Sequence, residues 1–469
     1  MLRSCCWRKE EGHSHGTLPN DPQHHPPKKP FINIGVYIEE TRIIVGTINS
    51  TDSQEPEIIL NTPAQVSFLS DRIIIGGEEE IENTFKVYDL IKEASTPIQV
   101  VRVNGLFLTL TKEEILAIFF EKLLSQVKVR RNVEALDNVV ITVPFTVTSL
   151  EKEKMKLAMN AAGVLNVRIC SSLITTAIAY AHENGSDWSR VKEVQTLFVA
   201  QYIKTGFSMA TINIAPGFVV STKCISSDNL EECQEKEFMD AHSLMYENQT
   251  IKSERTYAVF KVYTKAVTSL CTKDFLFNCE PVIVKVSEKQ ATLDHNFVSI
   301  FNKDIQCSLV TSGPLAGACL LASKFLPGCG ISANTVVCDI SRVKLLWNFG
   351  ENDKIEKVSN FCPGVVFESQ ISLSPKSNNL ILKEVYGDQS AVVGHYKLGF
   401  LRGELSTTVK VKLMCRVDQN GIFGVGFVFP SGIFGHAVRT SGPTISTYSS
   451  SGYGTLRYLY KLIGEIAGK

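Results

Sequence analysis

NVVITVPFTVTSLEKEKMKLAMNAAGVLNVRICSSLITTAIAYA, residues 138–181, alternates between strand-like and helix-like hydrophobic patterning. Val139–Val143 is a mostly β-branched run closed by Pro144, as in a buried strand. Thr148 and Glu151 stand at capping-box spacing, where hydroxyl and carboxylate satisfy the orphan donors of a new helix. Met155, Ala158, Met159 and Ala162 then follow at helical spacing on one face. Gly163 suits the left-handed residue that ends such a helix. LNVRI (165–169) reads as a second strand and Ile174–Tyr180 as a second helix. Strand, helix, strand, helix in this order predicts an α/β sheet with helices packed on it.

The rest of the chain is bounded by composition. A length of 469 residues allows two or three domains and an ample core. Lys and Arg balance Asp and Glu at 48 each, which argues against nucleic acid or an anionic membrane as partner. No apolar run reaches the ~20 residues that span a bilayer. The opening residues lack the apolar core of a signal peptide. The 13 cysteines show no paired spacing, which fits a reducing compartment better than a disulfide framework. Residues 1–30 hold His13, His15, His24 and His25 among prolines and few apolar residues, the composition of a disordered tail. No cysteine or acid frames these histidines at metal-ligand spacing. Cys5 and Cys6 read as ordinary thiols, because Leu2 stands where myristoylation needs glycine.

The 138–181 segment resembles the 70-kDa heat-shock chaperone family, the DnaK-type proteins, which carry VTVPAYF and then AGLNVLRIINEPTAAAIAY in the same order. The resemblance implies an actin-like (ribonuclease-H-like) ATPase-type α/β domain over 31–330 with a shortened second lobe. It implies an apolar linker at 331–340, around ANTVVCDI, and a peptide-binding β-sandwich over 341–430. VGHYKLGFL and VDQNGIFGV resemble the family's LGKFELTGI and IDANGILNV. Asn420-Gly421 between alternating strands is itself a hairpin signal. Residues 431–469 are expected to be a flexible tail with one short helix, LRYLYKLIGEIAGK, and no complete helical lid. EEILAIFFEKL before the ITVP strand is similar to the shortened, divergent plant members, which by analogy implies a cytoplasmic protein.

The positions that carry the family's chemistry are replaced. Its first phosphate loop, GIDLGTTNS, corresponds to residues around the Glu39-Glu40-Thr41 hairpin, with Tyr37 at the magnesium-holding aspartate and Glu39 at a glycine. A carboxylate there repels phosphate. The water-positioning lysine falls at Tyr88, with Lys86 nearby by a register shift. The glutamate and proline of NEPTAAAIAY are Ser172 and Leu173. The second loop, FDLGGGTFDVS, becomes Val199–Met209, with Ala200 at its aspartate and Tyr202, Ile203 and Lys204 at its glycines. Thr41, Lys204, Thr205 and Gly206 are the remnants of the phosphate side. Lys265 and Ser269 are the remnants of the adenosine side, where the stacking arginine is Ala266. SRVKLLWNFG replaces a loop of the peptide cleft, and Trp347 and Phe349 read as core or cleft lining.

Phosphoryl transfer rests on positioning and charge, and one lost group typically costs ~10²-fold. The expected reading is therefore a chaperone-family protein with little or no ATPase activity. It would bind extended apolar polypeptide, and co-chaperones, as adaptor or passive holder. No catalytic residue and no metal ligand is assigned, and ATP with magnesium enters only through the family. Two alternatives stand beside this reading: an ATP-hydrolysing chaperone with a weakened site, and a decaying copy without activity. Asn104-Gly105 and Gly76-Gly77 match no nucleophile elbow or dinucleotide loop.

Overall fold

The computed structural model describes residues 31–48, 55–69, 72–77, 83–92, 98–103, 106–183, 194–204, 206–215, 217–227, 230–247, 249, 252–270, 280–284, 300, 308–310, 313–324, 335–338, 341–349, 353–361, 366–373, 379–386, 389–398, 409–420, 422–432 and 434–441. The expected disordered tail (1–30), Asn104-Gly105 and the C-terminal LRYLYKLIGEIAGK segment lie outside the described residues.

An antiparallel meander opens the chain: β1 (Phe31–Ile38), β2 (Arg42–Thr47) and β3 (Glu57–Pro63). Beside it, β4 (Gln65–Phe68), β5 (Ile73–Ile75) and β6 (Thr84–Lys86) make a small sheet that runs into helix α1 (Val87–Lys92). A two-stranded ribbon, β7 (Ile98–Val103) and β8 (Leu106–Leu110), leads to α2 (Lys112–Arg131). The 138–181 segment supplies β9 (Ala135–Val143), α3 (Ser149–Ala161), β10 (Val167–Ser171) and α4 (Ser172–Glu183). β9 pairs parallel with β1, and β10 parallel with β9, giving the order β10-β9-β1-β2-β3.

Capping chemistry places the helices. Thr111 donates its N–H to Glu114 Oε2 at 2.8 Å and accepts from Glu114 N–H at 3.2 Å. Thr148 and Glu151 repeat the exchange at 2.6 and 3.3 Å. Gly163 ends α3 with φ +90°. The chain turns there, leaving Leu165 exposed, so the second strand starts at Val167, two residues later than its apolar run suggested.

A second sheet repeats the first. β11 (Gln195–Ile203), β12 (Gly206–Ala215) and β13 (Phe218–Ser226) form the meander. Helices α5 (Lys236–Tyr246) and α6 (Ser253–Leu270) follow, then β14 (Glu280–Val284) and β15 (Ser308–Val310), parallel beside β11, and helix α7 (Gly313–Ala322). The order β15-β14-β11-β12-β13 matches the first sheet position for position. β16 (Val336–Cys338), from the apolar run expected to be a linker, adds parallel to β13. Val337 and Cys338 are buried there, which satisfies the apolar side chains better than solvent would.

Five layers result. Ile34, Val36, Val139 and Ile141 pack on α2 and α3, while the other face of this sheet and one face of the second enclose α4 and α7. Along β11, Leu197 and Val199 join that central layer, whereas Phe198, Ala200 and Tyr202 face α5 and α6. α4 and α7 approach so closely that a Cβ at Gly317 would collide with the Thr175 carbonyl.

The remaining strands are β17 (Ser341–Phe349), β18 (Asp353–Phe361), β19 (Val366–Leu373), β20 (Asn379–Tyr386), β21 (Gln389–Leu398), β22 (Val409–Val417), β23 (Phe423–Val428) and β24 (Phe434–Ser441). All neighbours are antiparallel, in the order β18-β17-β20-β21-β24-β23-β22-β19. Val411, Leu413, Cys415 and Val417 are buried while Lys410, Lys412 and Arg416 face water, the period-2 pattern of a sheet with one wet face. The expectation of a flexible tail from residue 431 fails for Phe434–Ser441. Gly432, at φ +79°, turns the chain so that this segment pairs with β21 and β23. Trp347 and Phe349 fall on β17, and their side chains lie outside what is described.

The β22–β23 turn rests on the edge of the first sheet. Ile169 N–H, on β10, donates to the buried Asn420 Oδ1 at 2.9 Å, and Lys156 Nζ lies 2.8 Å from Asp418 Oδ2.

Candidate functional site

The two hairpins that face each other across the central layer, Glu39-Glu40-Thr41 and Ile203-Lys204, line a cavity of about 150 Å³. Tyr37, Pro144, Gln201, Tyr202 and Tyr246 complete its walls. This is below the ~300 Å³ at which small-ligand pockets usually begin.

A hydrogen-bond chain closes the cavity floor. Gln201 Nε2 donates to Tyr37 Oη at 2.8 Å, and Ser172 Oγ donates to Gln201 Oε1. Tyr37 comes from β1, Gln201 from β11 and Ser172 from the start of α4, so the chain ties the two sheets to the helix between them. All three side chains are buried. Thr176 Oγ1 donates to the Ser172 carbonyl at 2.7 Å, and Thr142 and Thr175 hydroxyls meet at 2.8 Å beneath. Burial first, and the neighbouring Glu39 second, hold the Tyr37 phenol well above its ordinary range, so it stays neutral.

The rim is acidic. Burial pushes the Glu39 carboxyl up to about 7, with Arg42 pulling weakly the other way. Lys204 is the one cation lining the cavity among the described residues, and its ammonium lies 2.5 Å from Glu247 Oε1. That bond, and more weakly Glu40, raise the Lys204 pKa. Its charge is thus matched by carboxylates of this chain. No group of three His, Cys, Asp or Glu side chains is placed to hold a metal ion among the described residues.

Of the remnants assigned from sequence, Thr41 and Lys204 share the cavity, whereas Lys265 and Ser269 do not line it. Thr41 lines the cavity exposed, with its carbonyl accepting from Ala64 N–H at 2.9 Å. Gly206 opens β12 rather than a phosphate loop, and a Cβ there would collide with the Ser227 hydroxyl. Thr205 lies outside the described residues. Lys265 sits on α6, paired with Glu232, along a separate groove of about 650 Å³ between α5 and α6. Ser269 Oγ donates to the Ala266 carbonyl of its own helix. The register-shifted Lys86 is exposed on β6, and Tyr88 on α1 lies under the Lys92 ammonium; neither lines the cavity.

Gln201 was not singled out in the sequence, although its signal is there. It is the one amide within LFVAQYI, a strand otherwise made for burial, and a buried amide requires partners. His242 is similar: it is buried against Phe238 and Tyr263, with Nδ1 3.4 Å from the Lys204 carbonyl. Burial lowers its pKa to about 4. Among the described residues, Cys170, Cys224, Cys233, Cys319, Cys338 and Cys415 form no disulfide. Among the described residues no helix is long and apolar enough to cross a membrane.

Comparison of the chain with family models finds no match, and comparison with curated proteins finds none either.

Proposed function

We propose that this chain is a non-hydrolysing relative of the 70-kDa heat-shock chaperones, an actin-like domain followed by a peptide-binding β-sandwich that holds clients passively. The repeated sheet order about two central helices supports the actin-like reading. The antiparallel unit from β17 to β24 supports the second. The observation that carries the loss of hydrolysis is the Tyr37–Gln201–Ser172 chain, which fills the cleft between the sheets with the protein's own side chains. Glu39 and Glu40 at its mouth oppose a triphosphate by Coulomb repulsion, and Lys204 is already matched. These residues do not fit ATP with magnesium.

What is left is a scaffold whose β unit recognises extended apolar polypeptide by backbone hydrogen bonds and side-chain pockets. Two assays on the full chain test this together. Phosphate release from ATP is expected at the buffer rate, and a fluorescent apolar heptapeptide is expected to bind saturably with or without nucleotide. Magnesium-dependent turnover abolished by Gln201→Leu would overturn the first half. Absence of peptide binding would overturn the second.

A further inference from the structure

A second junction of the molecule is built in the opposite sense. Where the β22–β23 turn meets the first sheet there is a cavity of about 420 Å³, within the ~300–1,000 Å³ range of small-ligand sites. Three cations line it from three elements: Lys156 on α3, Arg168 on β10 and Lys324 just beyond α7. Asn138, Asn166 and Gln419 also line it, Asn138 with its Nδ2 donating to Asn33 Oδ1 at 2.9 Å. Lys156 is matched by Asp418. Arg168 donates one nitrogen, Nη2, to the Val337 carbonyl at 2.6 Å, and its buried Nε has no hydrogen-bond partner among the described residues. Burial first, and the Arg168 charge second, pull the Lys324 ammonium below its ordinary range.

We infer that this cavity binds a small phosphate-bearing polyol, its phosphoryl oxygens held by Arg168 and Lys324 and its hydroxyls by the amides. Guanidinium paired with ammonium is the donor set that recognises a phosphate oxyanion, and amides on the remaining wall match hydroxyl groups in both donor and acceptor roles. Because Arg168 also holds β16, and Gln419 and Asn420 belong to the β unit, the ligand contacts both units at once. Its binding tightens their contact by mass action. The site is separate from the cleft between the sheets and stands whether or not the chain is a chaperone relative.

Calorimetric titration of the full chain with inorganic phosphate and with glycerol 3-phosphate tests this. Both are expected to bind saturably, glycerol 3-phosphate more tightly, with affinity falling as salt rises. Arg168→Gln and Lys324→Gln are each expected to weaken binding at least about tenfold. Lys324→Gln leaves the Arg168–Val337 bond in place and so controls for loosening of β16. Hydrogen exchange at the Ile169 amide should slow when glycerol 3-phosphate is added. Phosphate binding equal to that of glycerol 3-phosphate would reduce the site to a bare oxyanion pocket and overturn the polyol assignment. No saturable heat with either ligand, or unchanged affinity in both variants, would overturn the site itself.

Discussion

The cleft between the two sheets and the seam between the first sheet and the β unit are both polar junctions, but their polar groups are satisfied differently. In the cleft Tyr37, Gln201 and Ser172 spend their hydrogen bonds on one another, and Lys204 spends its charge on Glu247. In the seam Arg168, whose buried Nε has no hydrogen-bond partner among the described residues, lines a cavity with Lys156 and Lys324. Side chains that satisfy one another across a junction make it a structural joint, whereas a cluster of cations on a cavity wall suits an anion. The place where family resemblance puts the ligand is therefore the joint.

Breaking the cleft chain should have the largest effect. Gln201→Leu leaves the Tyr37 and Ser172 hydroxyls buried without their amide, at about 2–4 kcal/mol for the two groups together. Adding Tyr37→Phe should recover part of this loss, so urea denaturation of the double variant should show less than the sum. Additive losses would mean that the two side chains do not act as one unit.

Acid should act next, just behind the cleft. The unfolded chain protonates His242 below about 6.5, whereas the folded chain resists until about 4. Stability is therefore lost as pH falls through that window, by an order of about 3 kcal/mol. His242→Phe should flatten thermal unfolding over the same range, and an unchanged acid slope would contradict the assignment.

At the seam, Asn420→Ala removes the acceptor for the Ile169 amide and should cost about 1–2 kcal/mol. Faster hydrogen exchange at Ile169, with the cleft unaffected, would separate the two junctions. The smallest expected effect is electrostatic. Glu39 in the folded chain holds its proton up to about 7 against 4.5 for the free side chain. Its penalty therefore develops as pH rises from about 4.5 to about 7. Glu39→Gln should stabilise the protein by about 1 kcal/mol at about pH 8, after allowance for solvent screening, and by nothing at about pH 4.

The fold was legible where local chemistry repeats itself. Thr111 with Glu114, and Thr148 with Glu151, announce their helices, and Val139–Val143 announces its strand. β24 was hidden because its Gly, His and Thr content resembles the Ser-rich residues that follow. The linker reading of ANTVVCDI rests on resemblance, and three residues carry no periodicity to correct it; the pairing of β16 with β13 is a tertiary fact. The site was half legible. Tyr37 and Glu39, where the resemblance would expect an aspartate and a glycine, signal a changed cleft, but the partner that makes Tyr37 a bridge lies 164 residues away. Lys265 and Ser269 lie on α6 and do not line this cavity, which position along a helix alone does not tell.

Calorimetric titration of the full chain with ATP in excess magnesium, repeated without magnesium, addresses the filled cleft most directly. With Tyr37 bridged to Gln201 and Glu39 at the mouth, no saturable heat is expected in either condition. Stoichiometric binding that requires magnesium would contradict it.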